Sequence, residues 1–136
     1  MWTAVRFLWL ALTDDIWETR YVNLWVAVEA LFGPENGKCV ARTLRTRVAK
    51  FLSADDHEAE IARELVREGY RWRSAAVHGG RLTSLDPTGA SKLMLTAEGI
   101  VLTTLRKILT EPELAIEFCS PSREAYLNAL AKGFDP

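Results

Sequence analysis

The stretch Tyr70-Arg71-Trp72-Arg73-Ser74-Ala75-Ala76-Val77-His78-Gly79-Gly80 closes a long helical segment of the chain. Arg73 stands five positions before His78 and Arg71 stands seven before it, and the glycine pair suits a left-handed helix terminus. At about 100° per residue, a seven-residue step returns almost to the same helix face, while a five-residue step reaches a neighbouring face. Because a guanidinium and an imidazole at a helix end can hold and protonate a phosphate, the stretch predicts a helical fold that carries a phosphate site.

Apolar residues recur at helical spacing on both sides of this stretch, so the chain is predicted to be helical almost throughout. The predicted helices cover residues 2–12, 15–32, 38–52, 53–78 and 96–109, followed by a short last helix from Ser120. The predicted core stripes of the second to fifth helices are Tyr21, Trp25, Val28 and Phe32; Val40, Leu44, Val48 and Phe51; Ile61, Leu65 and Trp72; and Ile100, Val101, Leu105, Ile108 and Leu109. The arginines at 42, 45 and 47 are predicted on the other faces of the third helix.

Capping and turn signals set the predicted helix boundaries. Asp15 and Glu18 form a predicted capping pair at the start of the second helix. The segment 53–56 reads Ser-Ala-Asp-Asp, a start signal for the fourth helix. The stretch from 81 to 91 is predicted to be a loop, because its Asp86-Pro87-Thr88-Gly89 sequence is a strong turn signal.

No segment alternates at period two for long enough to predict a sheet, the segment 113–119 being the only exception. The 136 residues suffice for one hydrophobic core but not for two. The prediction is therefore an all-α fold, with a single helical bundle of about five to six helices in one domain over residues 1–136. The sequence starts inside a helix-like run, which leaves open that the chain is a fragment of a longer protein.

Composition and charge exclude several classes of protein. With 49% hydrophobic and 26% charged residues, the chain is neither disordered nor collagen-like. The net charge of −1 argues against a protein that coats nucleic acid nonspecifically, which would be clearly basic. The charge is uneven, however: residues 38–81 hold ten Lys and Arg against six Asp and Glu, a net of +4. A local anionic ligand near the motif is therefore predicted.

The cysteines and the apolar start of the chain bear on its compartment. Cys39 and Cys119 lack the spacing of a disulfide framework, so free thiols in a reducing cytoplasm are predicted. The apolar run 1–12 is too short to span a bilayer and is interrupted by Arg6, so no membrane partner is expected. Cys39 has no His or Cys at zinc spacing, and neither a metal nor a cofactor is predicted.

Two interpretations of the basic helix end are open from spacing alone. Arginines often occupy the solvated face of a bundle helix, and a histidine at a helix C-terminus can simply interact with the helix dipole. Alternatively, Arg67, Arg71, Ser74 and His78 share one face, at steps of four, three and four residues. The small residues at 74–76 would let a ligand or another helix approach closely. That face is then a candidate floor of a binding cleft.

The run Tyr70-x-x-Arg73-Ser74-x-x-Val77-His78-Gly79-Gly80 resembles the HEPN superfamily (higher-eukaryote and prokaryote nucleotide-binding domains), and most of all its Apea-like branch. The segment 25–31, Trp-Val-Ala-Val-Glu-Ala-Leu, is similar to the Leu-Glu-x-Leu helix of that branch, with Val28 in place of the usual leucine. The resemblance covers roughly residues 20–110. It implies a bundle that dimerises through the motif helices, and for many members a metal-independent endoribonuclease of a toxin, antiviral or RNA-processing system.

The resemblance implies a role for each motif residue. Cleavage through the RNA 2′-hydroxyl needs a base and an acid, and one His78 cannot stand on both sides of a phosphate. A two-fold homodimer would bring two copies of His78 and of Arg73 to one site, with Arg73 stabilising the phosphoryl charge. Arg71 is the alternative arginine, because its gap of six residues also fits the pattern. Supporting roles in orientation fall to Tyr70, Ser74 and Glu29, and phosphate binding to Arg67 and Arg81.

Three functional hypotheses follow. The first is a dimeric endoribonuclease with Arg73 and His78 as catalytic residues, acting on RNA and controlled by an antitoxin or a regulatory partner domain. The second is a noncatalytic HEPN module that binds nucleotides or RNA, or that regulates a partner domain. The third is a helical interaction or dimerisation domain whose arginines form a solvated face. For Glu29, the structural alternative is an ion pair with an arginine of the motif helix that keeps the bundle in register.

Overall fold

The computed structural model describes residues 1–78 and 85–132, and this part of the chain is helical without strands. It contains α1 (Trp2–Thr13), α2 (Trp17–Phe32), α3 (Val40–Leu52), α4 (Asp56–Val77), α5 (Pro87–Thr110), α6 (Pro112–Cys119) and α7 (Arg123–Ala131). The predicted all-α fold is confirmed, with seven helices in the described ranges where about five to six were expected. None of these helices is both long enough and apolar enough to cross a membrane.

Helix α2 lies at the centre of the core and contacts α1, α3, α4 and α5. Its predicted stripe is confirmed, because Tyr21, Trp25, Val28 and Phe32 are all fully buried. Two aromatic rings of this stripe contact each other: the rings of Trp25 and Tyr21 pack edge to face, with their centroids 6.3 Å apart. The predicted stripe of α3 is buried at Leu44, Val48 and Phe51 and partly buried at Val40. The core of α3 is therefore also as predicted.

Helices α2 and α4 approach each other closely at Gly69. A Cβ built on Gly69 would overlap the six-membered ring of Trp25. At the same place the Tyr21 hydroxyl donates a 2.7 Å hydrogen bond to the Gly69 carbonyl. The missing side chain at 69 thus brings the α4 backbone against two aromatic residues of α2, and this contact fixes how α4 is rotated about its own axis.

Replacing Gly69 by alanine is expected to destabilise the fold by about 2 kcal/mol, because an added methyl group in a packed core forces neighbouring groups to shift. The matched control is Gly99→Ala in α5, where an added Cβ meets no atom within 4 Å. That control should gain about 0.5–1 kcal/mol from the better helix propensity of alanine. Urea unfolding of both variants is the measurement, and equal changes in the two would contradict the close α2–α4 contact.

The predicted core stripe of the fourth helix is only partly right. Ile61 is 52% exposed and Leu65 is only partly buried, whereas Trp72 is partly buried and packs against the hydrophobic core. The buried residues of α4 are Ala59, Val66 and Gly69 instead. Helix α4 thus fully buries only small and medium-sized residues, while Tyr70 and Trp72 are partly buried against the core. In α5, the predicted core residue Leu109 is likewise 76% exposed, while its other four predicted core residues are buried.

Several predicted boundaries also differ from the structure. Helix α5 begins at Pro87, inside the predicted loop 81–91, because the Asp86 carboxylate caps the helix by accepting a 2.6 Å hydrogen bond from the Gly89 N–H. The segment 113–119, the one strand candidate, is helical within α6. The predicted Asp15–Glu18 cap does not form, since α2 starts after Ile16 without a side-chain cap. These differences lengthen α5 and add α6.

The prediction that Arg47 lies on an outer face of α3 is wrong as well, because Arg47 is only 2% exposed. Its Nη1 donates to the Phe32 carbonyl at 2.9 Å and to the Gly33 carbonyl at 3.3 Å, at the end of α2. The same guanidinium donates to both carboxylate oxygens of Glu124 in α7, at 3.1 and 2.6 Å, and to Asn128 at 2.8 Å. Arg47 therefore ties three helices together.

Candidate functional site

Helices α3 and α4 are antiparallel neighbours joined by a short connection at 53–55. The start of α4 is firmly capped: Asp55 accepts a 2.9 Å hydrogen bond from the Glu58 N–H, and the Glu58 carboxylate accepts one of 2.9 Å from the Ala54 N–H. The helix start predicted at 53–56 is confirmed, but the predicted Ser-x-x-Asp cap does not form, because Asp55 caps α4 and Ser53 follows the end of α3. At the opposite end of the pair, where α3 begins and α4 ends, a groove of about 940 Å³ opens between the two helices.

The charged side chains that line this groove, among the residues that the structure describes, are all basic. They are Arg42 and Arg45 from α3 and Arg67 and Arg71 from α4, and the imidazole of His78 lines the groove beside them. Between them lie apolar or aromatic side chains, Val40, Ala41, Tyr70 and Ala75. Basic groups around an apolar floor suit a ligand that combines negative charge with a flat apolar part.

The groove brings together the four residues that the spacing placed on one helix face. Arg67, Arg71, Ser74 and His78 all line it. His78 is exposed directly after Val77, the last residue of α4, and its backbone N–H donates a 3.1 Å hydrogen bond to the Ser74 carbonyl. Arg71 is exposed and lies 5.4 Å from the centroid of the Trp72 ring, while Arg67 forms an ion pair with Glu64. Arg81, together with the glycine pair, lies outside the described residues.

Arg73 points away from the groove, towards α2. Its Nη2 lies 2.8 Å from Glu29 Oε1, and the two side chains are 19% and 26% exposed. Glu29 Oε1 has no hydrogen-bond partner within the described part of the chain, so its contact with Arg73 is an ion pair that lacks hydrogen-bond alignment. The Nε atom of Arg73 is likewise without a hydrogen-bond partner there. The five-residue step to His78 rotates by about 140° around α4, so the two residues face different neighbours. The pairing agrees with the interpretation of Glu29 as the ion-pair partner of an arginine on the motif helix.

Tyr70 connects the groove to this ion pair. Its ring packs edge-on against Trp25 at 5.7 Å and lies 5.4 Å from the Arg73 guanidinium. Burial, followed by the nearby Glu29 carboxylate, raises the pKa of the Tyr70 phenol, while Arg73 acts in the opposite direction. The phenol therefore remains a neutral hydrogen-bond donor at the side of the groove.

Sequence reasoning missed the contribution of α3 to the groove. Arg42 and Arg45 stand three residues apart, and the sequence 40–52 contains four basic residues and no acidic one. That run of positive charge, without i to i+4 acidic partners on its own helix, was the available signal. Its meaning depended on knowing that α3 packs beside the end of α4. The pairing of the two helices is what turns a charged face into the wall of a groove.

The described residues contain no group of three or more His, Cys, Asp or Glu side chains that could hold a metal ion. Comparisons with models of protein families, with curated proteins and with solved structures give no match to this chain. The groove geometry and the motif resemblance are therefore the basis for assigning a function.

Proposed function

We propose that this chain is a metal-independent endoribonuclease of the HEPN type, which acts as a homodimer on RNA held in the groove between α3 and α4. One observation carries the proposal: His78 is exposed at the end of a groove whose charged lining, over the described residues, is entirely basic. RNA presents a regular row of phosphates to such a surface. The toxin or antiviral setting, the cytoplasmic location and control by an antitoxin or partner domain are proposed from the motif resemblance.

The chemistry assigns His78 to proton transfer. A base removes the proton of the 2′-hydroxyl, the 2′-oxygen bonds to phosphorus, and the bond from phosphorus to the 5′-oxygen breaks as an acid protonates that oxygen. The base and the acid stand on opposite sides of the phosphate. We therefore place the two-fold axis beside the C-terminal end of α4, so that each protomer contributes one His78 to a shared site.

The groove geometry favours Arg71 over Arg73 as the arginine that contacts RNA. Arg71 lines the groove together with His78, whereas Arg73 is engaged with Glu29 and Tyr70. We propose Arg73 as a positioning residue that fixes the rotation of α4 against α2. Ser74, in the groove lining between Arg71 and His78, is available to hydrogen-bond a phosphate oxygen.

The second candidate is a noncatalytic module that binds nucleotides or RNA in the same groove. The Arg73–Glu29 ion pair favours this candidate, because it removes from the groove the arginine that best matches the motif. Binding needs only the basic lining and the apolar floor, whereas cleavage also needs the second His78.

The test is cleavage of a single-stranded RNA by the wild-type protein in the presence of a chelator. We expect products with 2′,3′-cyclic phosphate and 5′-hydroxyl ends, and no cleavage of DNA with the same sequence, because DNA lacks the attacking hydroxyl. Sedimentation equilibrium should show a dimer at the protein concentration of the assay. Loss of activity on adding the chelator would exclude the metal-independent mechanism. Binding of RNA without any cleavage would establish the second candidate instead.

A further inference from the structure

We infer that Arg45 of α3 and Arg71 of α4 form a binding site for the phosphate next to the scissile one, which makes single-stranded RNA the ligand of the groove. The identity of the scissile phosphate rests on the proposed function. The phosphate site itself rests on three observations that are independent of cleavage: an unsatisfied guanidinium, an uncapped helix N-terminus, and the spacing of the basic residues along α4.

The guanidinium of Arg45 is held in the groove without an acceptor for one of its donors. The residue is partly buried and lines the groove, and its Nε is buried without a hydrogen-bond partner among the described residues. Leaving a buried charged donor unsatisfied costs about 1–3 kcal/mol or more, so such donors are normally paired. A phosphate oxygen accepts hydrogen bonds from a guanidinium with good geometry. Because this Nε atom is itself shielded from solvent, an anion in the groove reaches it only after the Arg45 side chain shifts, and the positive charge of Arg45 is what attracts an anion to the groove.

The N-terminus of α3 opens into the same groove. Cys39, the capping residue, adopts a left-handed conformation with φ of 51° and provides no side-chain cap. The first turn of α3 contains no acidic residue, and Cys39, Val40 and Ala41 line the groove. The first backbone N–H groups of a helix have no intrahelical acceptor and carry partial positive charge. They add to the attraction that Arg45 exerts on an anion.

The distance between Arg71 and His78 along α4 shows that a ligand in contact with both residues is longer than one phosphate. Arg71 and His78 are seven residues apart, which is roughly 10 Å along the helix axis. Helical side chains lean towards the N-terminus of their own helix, so the long Arg71 side chain leans away from His78. A phosphate bound by Arg71 and Arg45 is therefore a different phosphate from one held at His78. A strand with consecutive phosphates satisfies both positions.

The floor of the groove favours a single strand over a duplex. Between the basic groups lie Ala41, Ala75 and Tyr70, which add apolar and aromatic groups to the lining beside the charged ones. An unpaired base can leave its stack and pack on such a surface, whereas the bases of a duplex are stacked and paired. The groove therefore matches a nucleotide whose phosphate meets Arg45 and Arg71 and whose base meets Tyr70.

The inference is tested by the fluorescence anisotropy of a labelled 2′-O-methyl RNA strand, which cannot be cleaved through its 2′-oxygen. We expect Arg45→Gln and Arg71→Gln each to raise the Kd about tenfold, the loss of one charge-assisted hydrogen bond. Each should also make the slope of log K against log salt concentration shallower by about 0.7. Arg106→Gln, an exposed arginine of α5, is the matched control and should change neither quantity.

Arg45→Lys separates the loss of charge from the loss of hydrogen-bond geometry, because lysine keeps the charge without the planar guanidinium. This variant should keep the wild-type dependence of log K on log salt concentration and still bind RNA more weakly. A duplex of the same sequence should bind more weakly than the single strand. Wild-type affinity in either glutamine variant, or equal affinity for the duplex, would overturn the inference. Because the labelled strand cannot be cleaved, the binding assay and the cleavage assay give independent results. If both glutamine variants bind more weakly but the wild-type protein does not cleave RNA, the phosphate site is supported and the proposed ribonuclease function is not. Cleavage with unchanged binding removes the site and keeps the proposed function.

Discussion

His78→Ala is expected to lower the rate of RNA cleavage by about 10²–10⁴-fold, because it removes the group proposed for both proton transfers. The side chain of His78 is exposed at the end of α4, so the free energy of unfolding should change by less than about 0.5 kcal/mol. The Kd for uncleavable RNA should also stay within a small factor of the wild-type value. Single-turnover cleavage, urea unfolding and RNA binding measured on the same preparation check the three expectations together.

Two arginine variants serve as controls for this result. Arg71→Ala should weaken RNA binding and leave stability nearly unchanged, because Arg71 is exposed in the groove. Arg73→Ala should lower stability instead, since it leaves the partly buried Glu29 without its cation. An Arg73→Ala protein that folds as stably as wild type but no longer cleaves RNA would return Arg73 to the catalytic role. Undiminished cleavage by His78→Ala would remove His78 from the mechanism.

The fold could be predicted from sequence wherever large apolar residues recur at helical spacing. In α2 the stripe from Tyr21 to Phe32 is bulky and fully buried, so its periodicity marked the core correctly. In α4 the buried positions are occupied by Ala59, Val66 and Gly69, and a pattern weighted by side-chain size selects the wrong face. The role of Gly69 depends on the Trp25 ring that lies against it, which is 44 positions earlier in the chain.

Local signals were ambiguous at helix starts. An aspartate followed by proline is typical both of a turn and of a capped helix, and at Asp86-Pro87 the helix forms. For the candidate site, the shared face of Arg67, Arg71 and His78 followed from spacing alone, because it involves one helix. The contribution of Arg45 and the engagement of Arg73 with Glu29 required knowledge of which helices are neighbours. Which helices are neighbours is decided by tertiary packing, which the spacing within one helix does not reveal.

Arg47→Ala is expected to destabilise the protein by about 3 kcal/mol, the largest stability change that we predict for a single substitution. The residue is 2% exposed, and its guanidinium donates to two carbonyls at the end of α2 and to Glu124 and Asn128 of α7. Removing it leaves all these acceptors without their common donor, and an unpaired buried group is costly. Arg106→Ala, an exposed arginine of α5, is the control and should change stability by less than about 0.5 kcal/mol.

The pH dependence of the same variant tests the cause of this loss. The hydrogen bond from Arg47 lowers the pKa of the Glu124 carboxyl. Burial acts in the opposite direction, and the positive charge of Arg47 lowers the pKa further. A carboxyl with a lowered folded-state pKa contributes stability that is fully present above its unfolded value, about 4.3, and that is lost as the pH falls through the folded value. The stability difference between wild type and Arg47→Ala should therefore be constant near pH 7 and shrink below about pH 4. A difference that stays constant down to the acid transition would show that Arg47 acts through packing and its backbone hydrogen bonds alone, without the charge of Glu124.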